Sequence, residues 1–154
     1  MGFENVYIVG IGMIRFGKYL EKTEKELTAE AVLNAVKDAE ISIKDIQSVW
    51  FSNSLWGYFS GQHAIKGQVA LRPLGIEGIP IINVENACAG GSTALHCAWM
   101  SVAGGMYDCV MAVGVEKLYN EDKEKSFKAF WAGIDVSDVE NWIKKWKKVI
   151  NQRT

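Results

Sequence analysis

Apolar stretches of two kinds alternate along the chain and predict a series of strands and helices. Short continuous runs rich in β-branched residues predict buried strands at residues 6–14, 46–53, 79–84 and 107–115. Between them, apolar residues recur at the spacing of helices that bury one face. Strands that alternate with helices form layered folds, so we predict an α/β fold: a mixed, mostly parallel sheet with helices on both faces.

Two helices are predicted before the third strand. The first follows Thr23 and Glu26, which are spaced as a capping box. Its apolar stripe consists of Ala29, Val32, Leu33, Val36 and Ala39. The second covers residues 63–71 and ends before Pro73. Residues 54–62 are aromatic and contain glycine, and we interpret them as too irregular for a core element. They form either a packed surface loop or a subunit interface, where aromatic residues are enriched.

Cys88 lies where the third strand gives way to a helix, and Ala89-Gly90-Gly91-Ser92 follow it. Free backbone N–H groups and the positive end of the helix dipole are concentrated at such a position. A thiolate is stabilised there, and the same N–H groups could hold a carbonyl oxygen that becomes an oxyanion. Gly90 and Gly91 leave room for a thioester to approach. Cys88 is therefore a candidate nucleophile, and the alternative is a small buried hydrophobic residue.

The helix after Cys88 is small or apolar on nearly every side. The residues concerned are Ala94, Leu95, Ala98, Trp99, Val102 and Ala103. Helices of this kind are buried in the middle of a larger body. A two-layer domain of this size rarely buries a helix all round, so we expect the helix to be central in something larger.

After Val115 the alternation of strands and helices stops. Ser137 and Glu140 are spaced as a second capping box and predict a further helix. Its apolar stripe consists of Val139, Trp142, Ile143, Trp146, Val149 and Ile150, and its opposite face carries Lys144, Lys145, Lys147 and Lys148. Such a helix either packs its apolar face on protein, which is the commoner case, or binds a membrane surface or a partner.

Composition limits the remaining possibilities. The chain has 154 residues, enough for one sizeable core, and a net charge of −1, which gives no reason to expect nucleic acid as a partner. The chain has an odd number of cysteines, namely Cys88, Cys97 and Cys109. Their spacing from His63 and His96 is not that of a metal site. We therefore expect no metal site, no disulfide, and a reducing, cytoplasmic location. Cys97 and Cys109 are interpreted as buried filler. We see no signal peptide and no apolar stretch of the roughly 18 residues that a transmembrane segment needs.

Three motifs resemble the thiolase superfamily, and they stand in that family's order. The segments are VGIGMIRFGK at residues 9–18, VENACAGGSTAL at 84–95 and GVEKL at 114–118. The resemblance is strongest to the N-terminal half of thiolases of the sterol-carrier/lipid-transfer-protein type, which are acetyl-CoA acetyltransferase-like. It implies a half-domain at residues 1–118. Residues 119–154 would begin the loop region that folds over the coenzyme A site.

This resemblance implies acyl transfer through a covalent acyl-Cys88 intermediate, either as thiolysis of a 3-oxoacyl-CoA or as the reverse condensation. Gly90, Gly91 and Ser92 would bind the substrate, coenzyme A would be a substrate, and no cofactor or metal would be bound. Decarboxylating condensation and retro-aldol cleavage share the fold and stay open. In the family a second half supplies the activating histidine and a second cysteine. His96 cannot replace that histidine within the same helix, since it lies about 12 Å beyond Cys88 along the axis.

The chain is therefore expected to be a piece of a longer thiolase or one component of an assembly. A homodimer or higher oligomer is expected, as is a small partner subunit carrying a zinc ribbon and an OB-fold, as in some thiolases of this branch. The alternative is a non-catalytic acyl-CoA-binding or structural subunit of a heteromeric thiolase-like complex. Absence of the activating histidine favours that alternative, whereas the intact ACAGGS turn favours catalysis.

Overall fold

The computed structural model describes residues 4–151, which fall into two compact units that divide between Tyr119 and Asn120. Four helices lie in the first unit: α1 (Glu24–Asp38), α2 (Trp56–Ser60), α3 (Lys66–Leu71) and α4 (Gly90–Ala103). Its strands are β1 (Ser48–Ser52), β2 (Ile81–Val84) and β3 (Val110–Gly114). The second unit contains α5 (Lys123–Phe130) and α6 (Val139–Asn151). Short 3₁₀ turns occupy Ile43–Asp45, Arg72–Leu74, Ala87–Ala89 and Trp131–Gly133.

The three strands form one parallel sheet in the order β2-β1-β3. Phe51 in the central strand lies opposite Asn83 on one side and Val113 on the other. Parallel neighbours require crossover connections, and helices supply them here. The prediction of an α/β fold built on a parallel sheet is therefore confirmed, and the three predicted strands that form it are each shorter than their apolar runs.

Helices cover both faces of the sheet, as two glycine contacts show. A Cβ placed on Gly67 of α3 would lie 2.7 Å from the Cβ of Phe51, and one on Gly90 of α4 would lie 2.3 Å from the hydroxyl oxygen of Ser52. Neighbouring residues of a strand point to opposite faces. Helices α3 and α4 therefore pack on opposite faces, each at a position where only glycine leaves room.

The hydrophobic core lies on the α3 side of the sheet. Val49 and Phe51 of β1 are fully buried there with Val32 of α1. The other buried members are Ile46, Trp56, Ala70, Leu71 and Ile76. Burying each large side chain of this kind stabilises the fold by about 1.5–3 kcal/mol. The first unit thus has a core of its own.

The prediction of a strand at residues 6–14 is wrong. This segment runs along α1 without pairing: a Cβ on Gly12 would lie 2.1 Å from the carbonyl oxygen of Ala31, and the Ile11 amide donates to the Asp38 carboxylate at 2.8 Å. Five of its large apolar side chains are exposed: Tyr7, Ile8, Val9, Ile11 and Met13. A strand needs the backbone groups of a neighbour, and the described part of the chain supplies none at this position.

Helix α1 begins as predicted, but its buried stripe differs. The Thr23 hydroxyl accepts from the Glu26 amide at 3.3 Å, and the Glu26 carboxylate accepts from the Thr23 amide at 2.7 Å, which completes the capping box. Val32 is buried as expected. Leu33, predicted in the stripe, is 52% exposed, and Leu27 is buried instead.

The aromatic segment at residues 54–62 is more regular than predicted. It contains helix α2, and Trp56 at its start is only 6% exposed and belongs to the core. The Trp56 amide donates to the Asn53 side chain at 3.0 Å, which fixes the entry to this helix. The interpretation of this segment as lying outside the core is therefore wrong for Trp56. Helix α3 begins at Lys66, three residues later than predicted.

The second unit consists of two short helices joined by a turn. Asp122 caps α5 by accepting from the Lys125 amide at 3.1 Å. The predicted capping box at Ser137 is not what the structure shows: α6 begins at Val139, so Ser137 lies one residue before the cap position, and its hydroxyl donates to the Asp135 carboxylate at 2.6 Å. Among residues 4–151, no helix combines the length and apolarity that crossing a membrane requires.

Candidate active site

The carboxyl ends of the three strands meet at one edge of the sheet. Ser52 at the end of β1 pairs with Val84 of β2 and with Gly114 of β3. Ligands of parallel α/β sheets bind beyond the carboxyl ends of the strands. Cys88 follows β2 by four residues, so this edge is where the candidate nucleophile lies.

A strained turn carries Cys88 from β2 to α4. Ala87 has a φ of +43°, and the 3₁₀ turn Ala87–Ala89 leads directly into the helix at Gly90. The left-handed conformation costs a non-glycine residue about 1–2 kcal/mol, so the surroundings must hold it. The Glu85 carboxylate does so, because it accepts from the Ala87 amide at 2.6 Å and from the Ser54 hydroxyl at 3.0 Å. Sequence reasoning missed this strain, since alanine gives no sign of a positive φ.

Cys88 is accessible, and its backbone amide has no hydrogen-bond partner among the described residues. Cys88 is exposed, and its thiol is not in a disulfide. The Ala89 amide donates back to the Asn86 carbonyl at 2.9 Å, whereas the Cys88 amide donates to no residue in the range 4–151. Asn86 is itself tied to α4, because its side-chain amide donates to the Thr93 hydroxyl at 2.9 Å. An acyl-transfer site requires this combination of an accessible sulfur and a nearby fixed N–H donor.

The three predicted substrate-binding residues occupy different environments. Gly90 packs against the sheet beside Ser52. Gly91 borders open space, since a Cβ placed there would have no heavy atom within 4 Å. The Ser92 hydroxyl donates to the Ala89 carbonyl at 2.8 Å. A substrate-binding role for these residues stays a prediction, and Gly91 is the one that leaves the most room for a ligand.

A second carboxylate, Glu116, fixes the same edge from the side of β3. It accepts from the amides of Ser54 and Leu55 at 2.9 and 3.1 Å, and from the Asn53 side chain at 3.2 Å. Glu85 and Glu116 therefore hold the loop after β1 from both neighbouring strand ends. Sequence reasoning assigned neither a role. The available signal was an acidic residue within two positions of the end of an apolar strand.

A cleft of about 230 Å³ lies at the carboxyl ends of β1 and β2, and Cys88 is not among the residues that line it. Its polar lining includes His63, Lys66 and Glu85, and the rest consists of Phe51, Asn53, Ala64, Ile65, Asn83 and Val84. The Lys66 ammonium donates to the carbonyls of Asn53 and Ser54, both at 3.2 Å. Sites for drug-sized ligands measure roughly 300–1,000 Å³. The cleft is thus smaller than a coenzyme A thioester needs.

The other histidine and the other cysteines lie away from this edge or are half-buried. His96 is exposed on α4 and stacks on Trp99 of the same helix, with ring centroids 5.9 Å apart. Cys97 and Cys109 are half-buried rather than fully buried. Burial, and then the charges of Asp45 and Asp108, raise the pKa of the Cys109 thiol. Across residues 4–151, no group of three or more His, Cys, Asp or Glu side chains could hold a metal ion.

Comparison with known proteins identifies the family. The model of the thiolase N-terminal domain matches residues 6–144, so the chain belongs to the thiolase family. Acetyl-CoA acetyltransferase of Methanocaldococcus jannaschii is 40% identical over 114 residues, which cover 74% of this chain and 29% of that protein. Sterol carrier protein 2 of Bos taurus is 39% identical over 115 residues, which cover 73% of this chain and 20% of that protein. The chain therefore spans less than a third of either relative.

Solved structures share the fold of this chain. The 3-oxoacyl-[acyl-carrier-protein] synthase III of Aquifex aeolicus matches with a TM-score of 0.55 and 19% identity, over 71% of this chain and 34% of that chain. A chain of the Ltp2-ChsH2(DUF35) aldolase matches with a TM-score of 0.51 and 25% identity, over 65% of this chain and 24% of that chain. The fold is thiolase-like, and this agrees with the resemblance seen in the sequence motifs.

Proposed function

We propose that this chain is the nucleophile-bearing N-terminal half of a thiolase-type acyltransferase, with residues 1–118 as the half-domain and 119–154 as the start of the loop region. The observation that carries the proposal is the placement of Cys88: exposed, on a strained turn at the carboxyl edge of the sheet, with an amide that has no partner among the described residues. A fixed N–H donor of this kind contributes roughly 10²–10³ in rate to acyl transfer. Family membership supports the same reaction class.

The proposed thiolysis begins when a base takes the proton of the Cys88 thiol. The sulfur then bonds to the 3-oxo carbon of a 3-oxoacyl-CoA, and the bond between C2 and C3 breaks. Its electron pair stays on C2, which takes up a proton and leaves as acetyl-CoA. Coenzyme A attacks the acyl-Cys88 thioester, the carbon–sulfur bond to Cys88 breaks, and the shortened acyl-CoA leaves. Condensation is the same series in reverse.

A second half or a partner must complete this site. In the described part of the chain, no hydrogen bond joins Cys88 to a histidine, so the base is proposed to come from outside it. Helix α4 also keeps an apolar face open, with Leu95, Trp99 and Met100 exposed by 51%, 42% and 45%. The exposed apolar face is an argument that a second half or a partner packs on α4. The proposed assembly is a homodimer or higher oligomer in the cytoplasm, with coenzyme A as substrate.

A small partner subunit with a zinc ribbon and an OB-fold is part of the proposal. The Ltp2-ChsH2(DUF35) aldolase is named for two components, and its likeness to this chain supports a partner subunit here. Co-purification of the chain from its native source, followed by mass spectrometry, tests for such a subunit. Recovery of the chain without any second polypeptide would contradict this part of the proposal.

The test of catalysis is an intact mass, measured under denaturing conditions after exposure of the natively isolated protein to acetoacetyl-CoA. The expected adduct is one acetyl group that maps to Cys88. It should be absent from Cys88→Ala and retained in Cys97→Ala, a matched change of a free cysteine on α4. Acyl transfer that survives in Cys88→Ala would refute the nucleophile assignment.

The alternative function is a non-catalytic acyl-CoA-binding or structural subunit, and the missing contact between Cys88 and a base favours it. The two proposals differ in one measurement. Calorimetry that shows acyl-CoA binding to the natively isolated protein, together with an unchanged mass, would support the alternative. An acyl adduct on Cys88 would exclude it.

A further inference from the structure

Helix α6 divides its side chains cleanly into two sectors. At about 100° per residue, its apolar residues fall within a sector of about 120°. These residues are Val139, Trp142, Ile143, Trp146, Val149 and Ile150. Four lysines occupy most of the remaining circumference: Lys144, Lys145, Lys147 and Lys148. The helix has one acidic residue, Glu140, so its side chains carry a net charge of +3 (four lysines minus one glutamate).

Four of the six residues in the apolar sector of α6 are exposed, and Val139 and Ile143 are half-buried. Trp142 and Trp146 are 38% and 53% exposed, and Val149 and Ile150 are 45% and 53% exposed. The Trp142 ring packs between those of Trp131 and Trp146, with centroids 6.4 and 5.4 Å away. The aromatic side chains therefore hold one another in place while they keep much of their surface open.

We propose that α6 binds the surface of an anionic lipid bilayer, with its tryptophans at the level of the headgroups. The arrangement of charge selects this occupant. Lys145 and Lys147 border the apolar sector on its two sides, so both ammonium groups can reach lipid phosphates while the stems lie along the acyl boundary. Tryptophan prefers this interfacial depth because its ring is apolar and its N–H is polar.

The length of the helix decides how it lies on the bilayer. Its 13 residues extend about 20 Å, whereas the hydrocarbon core is about 30 Å thick. Helix α6 therefore lies in the plane of the interface and does not cross it. Each lysine near an anionic surface strengthens binding by about fivefold at physiological salt.

Co-sedimentation of the full chain with vesicles tests the proposal. One set of vesicles is phosphatidylcholine alone, and the other contains phosphatidylcholine and phosphatidylglycerol in equal parts. We expect binding to the anionic vesicles, a blue shift of tryptophan fluorescence, and weaker binding as salt is raised. Lys145→Gln/Lys147→Gln should weaken binding by about fivefold for each lysine. Lys25→Gln/Lys37→Gln, which changes two exposed lysines of α1, should leave it unchanged.

Matched tryptophan variants test the apolar sector. Trp142→Ala/Trp146→Ala should abolish binding, whereas Trp99→Ala should not, although Trp99 is exposed to a similar degree on α4. Three results would each overturn the proposal. They are equal binding to neutral and anionic vesicles, an equal loss of binding in the α6 and α1 lysine variants, and no sedimentation with either kind of vesicle. The lysine variants leave the apolar sector intact, so a helix that fails to fold in the tryptophan variant does not remove the test. None of these outcomes depends on Cys88.

Discussion

Replacing Gly90 by alanine tests how the sheet positions the start of α4. The new Cβ would lie 2.3 Å from the Ser52 hydroxyl oxygen, far inside van der Waals contact, and 3.6 Å from the Ser52 Cβ, which is an ordinary contact. Ser52 is buried at the carboxyl end of β1. The clash is therefore with one atom, and removing that atom should relieve it.

The expected size of the effect follows from two opposing terms. Overpacking of a filled site costs about 1–3 kcal/mol. Alanine in place of glycine in a helix returns up to about 1 kcal/mol. Gly90→Ala should thus lower the free energy of unfolding by about 0–3 kcal/mol. In a Ser52→Ala background the overpacking cost should vanish, whereas the gain from alanine in the helix should remain. Gly90→Ala should therefore be neutral or stabilising in that background.

The assay is urea unfolding of the four proteins of this double-mutant cycle, followed by far-UV circular dichroism. Gly91→Ala is the matched control, because its Cβ would meet no atom within 4 Å, and it should stabilise the chain or leave it unchanged. The cycle should give a coupling energy of about 1–3 kcal/mol between positions 52 and 90. A coupling energy near zero, or an equal cost for both glycine variants, would refute the argued packing of α4 on β1.

Three further predictions concern single side chains. Glu116→Gln should destabilise the chain by about 1–3 kcal/mol, because its carboxylate accepts from two backbone amides, whereas Glu121→Gln should have no measurable effect on urea unfolding. The Thr23 amide, and then its hydroxyl, lower the pKa of Glu26 in the folded chain. The ionised Glu26 carboxylate therefore stabilises the folded chain fully at pH values above the pKa of the unfolded carboxyl. This stabilisation is lost as the pH falls through the lower pKa of the folded carboxyl. Glu26→Gln should remove this acid dependence from the free energy of unfolding. Iodoacetamide should modify the exposed Cys88 well before the half-buried Cys109, whose pKa is raised, and peptide mapping that finds the reverse order would contradict the described exposure.

Local patterns were sufficient for the elements that build the sheet. Residues 48–52, 81–84 and 110–114 lie inside the apolar runs that predicted them, and the capping box at Thr23 is where its spacing placed it. Cys88 likewise lies at a strand-to-helix turn. These features depend on residues close together in the chain, so their signal is complete in a short window of sequence.

Other features depended on neighbours distant in the chain. The run at residues 6–14 has the apolarity of a strand but forms none, because a ladder exists only where a partner strand lies alongside. Trp56 is in the core because other elements of the first unit pack around it. The sequence of its own glycine-bearing segment does not predict this burial. A single sequence records which residues are apolar, and it does not record what covers them.

The sequence by itself determined that the chain is an α/β layer with Cys88 at the start of a helix, since periodicity and the motif around it sufficed. Only the tertiary structure decided how that cysteine is held. The order β2-β1-β3 brings Glu85 and Glu116 to either side of the loop after β1, where Glu116 accepts from the Ser54 amide and Glu85 accepts from the Ser54 hydroxyl. Ala87 keeps its positive φ because that network bonds its amide. Such bonds join residues up to 63 positions apart in the chain, and only the folded arrangement of the strands brings them together.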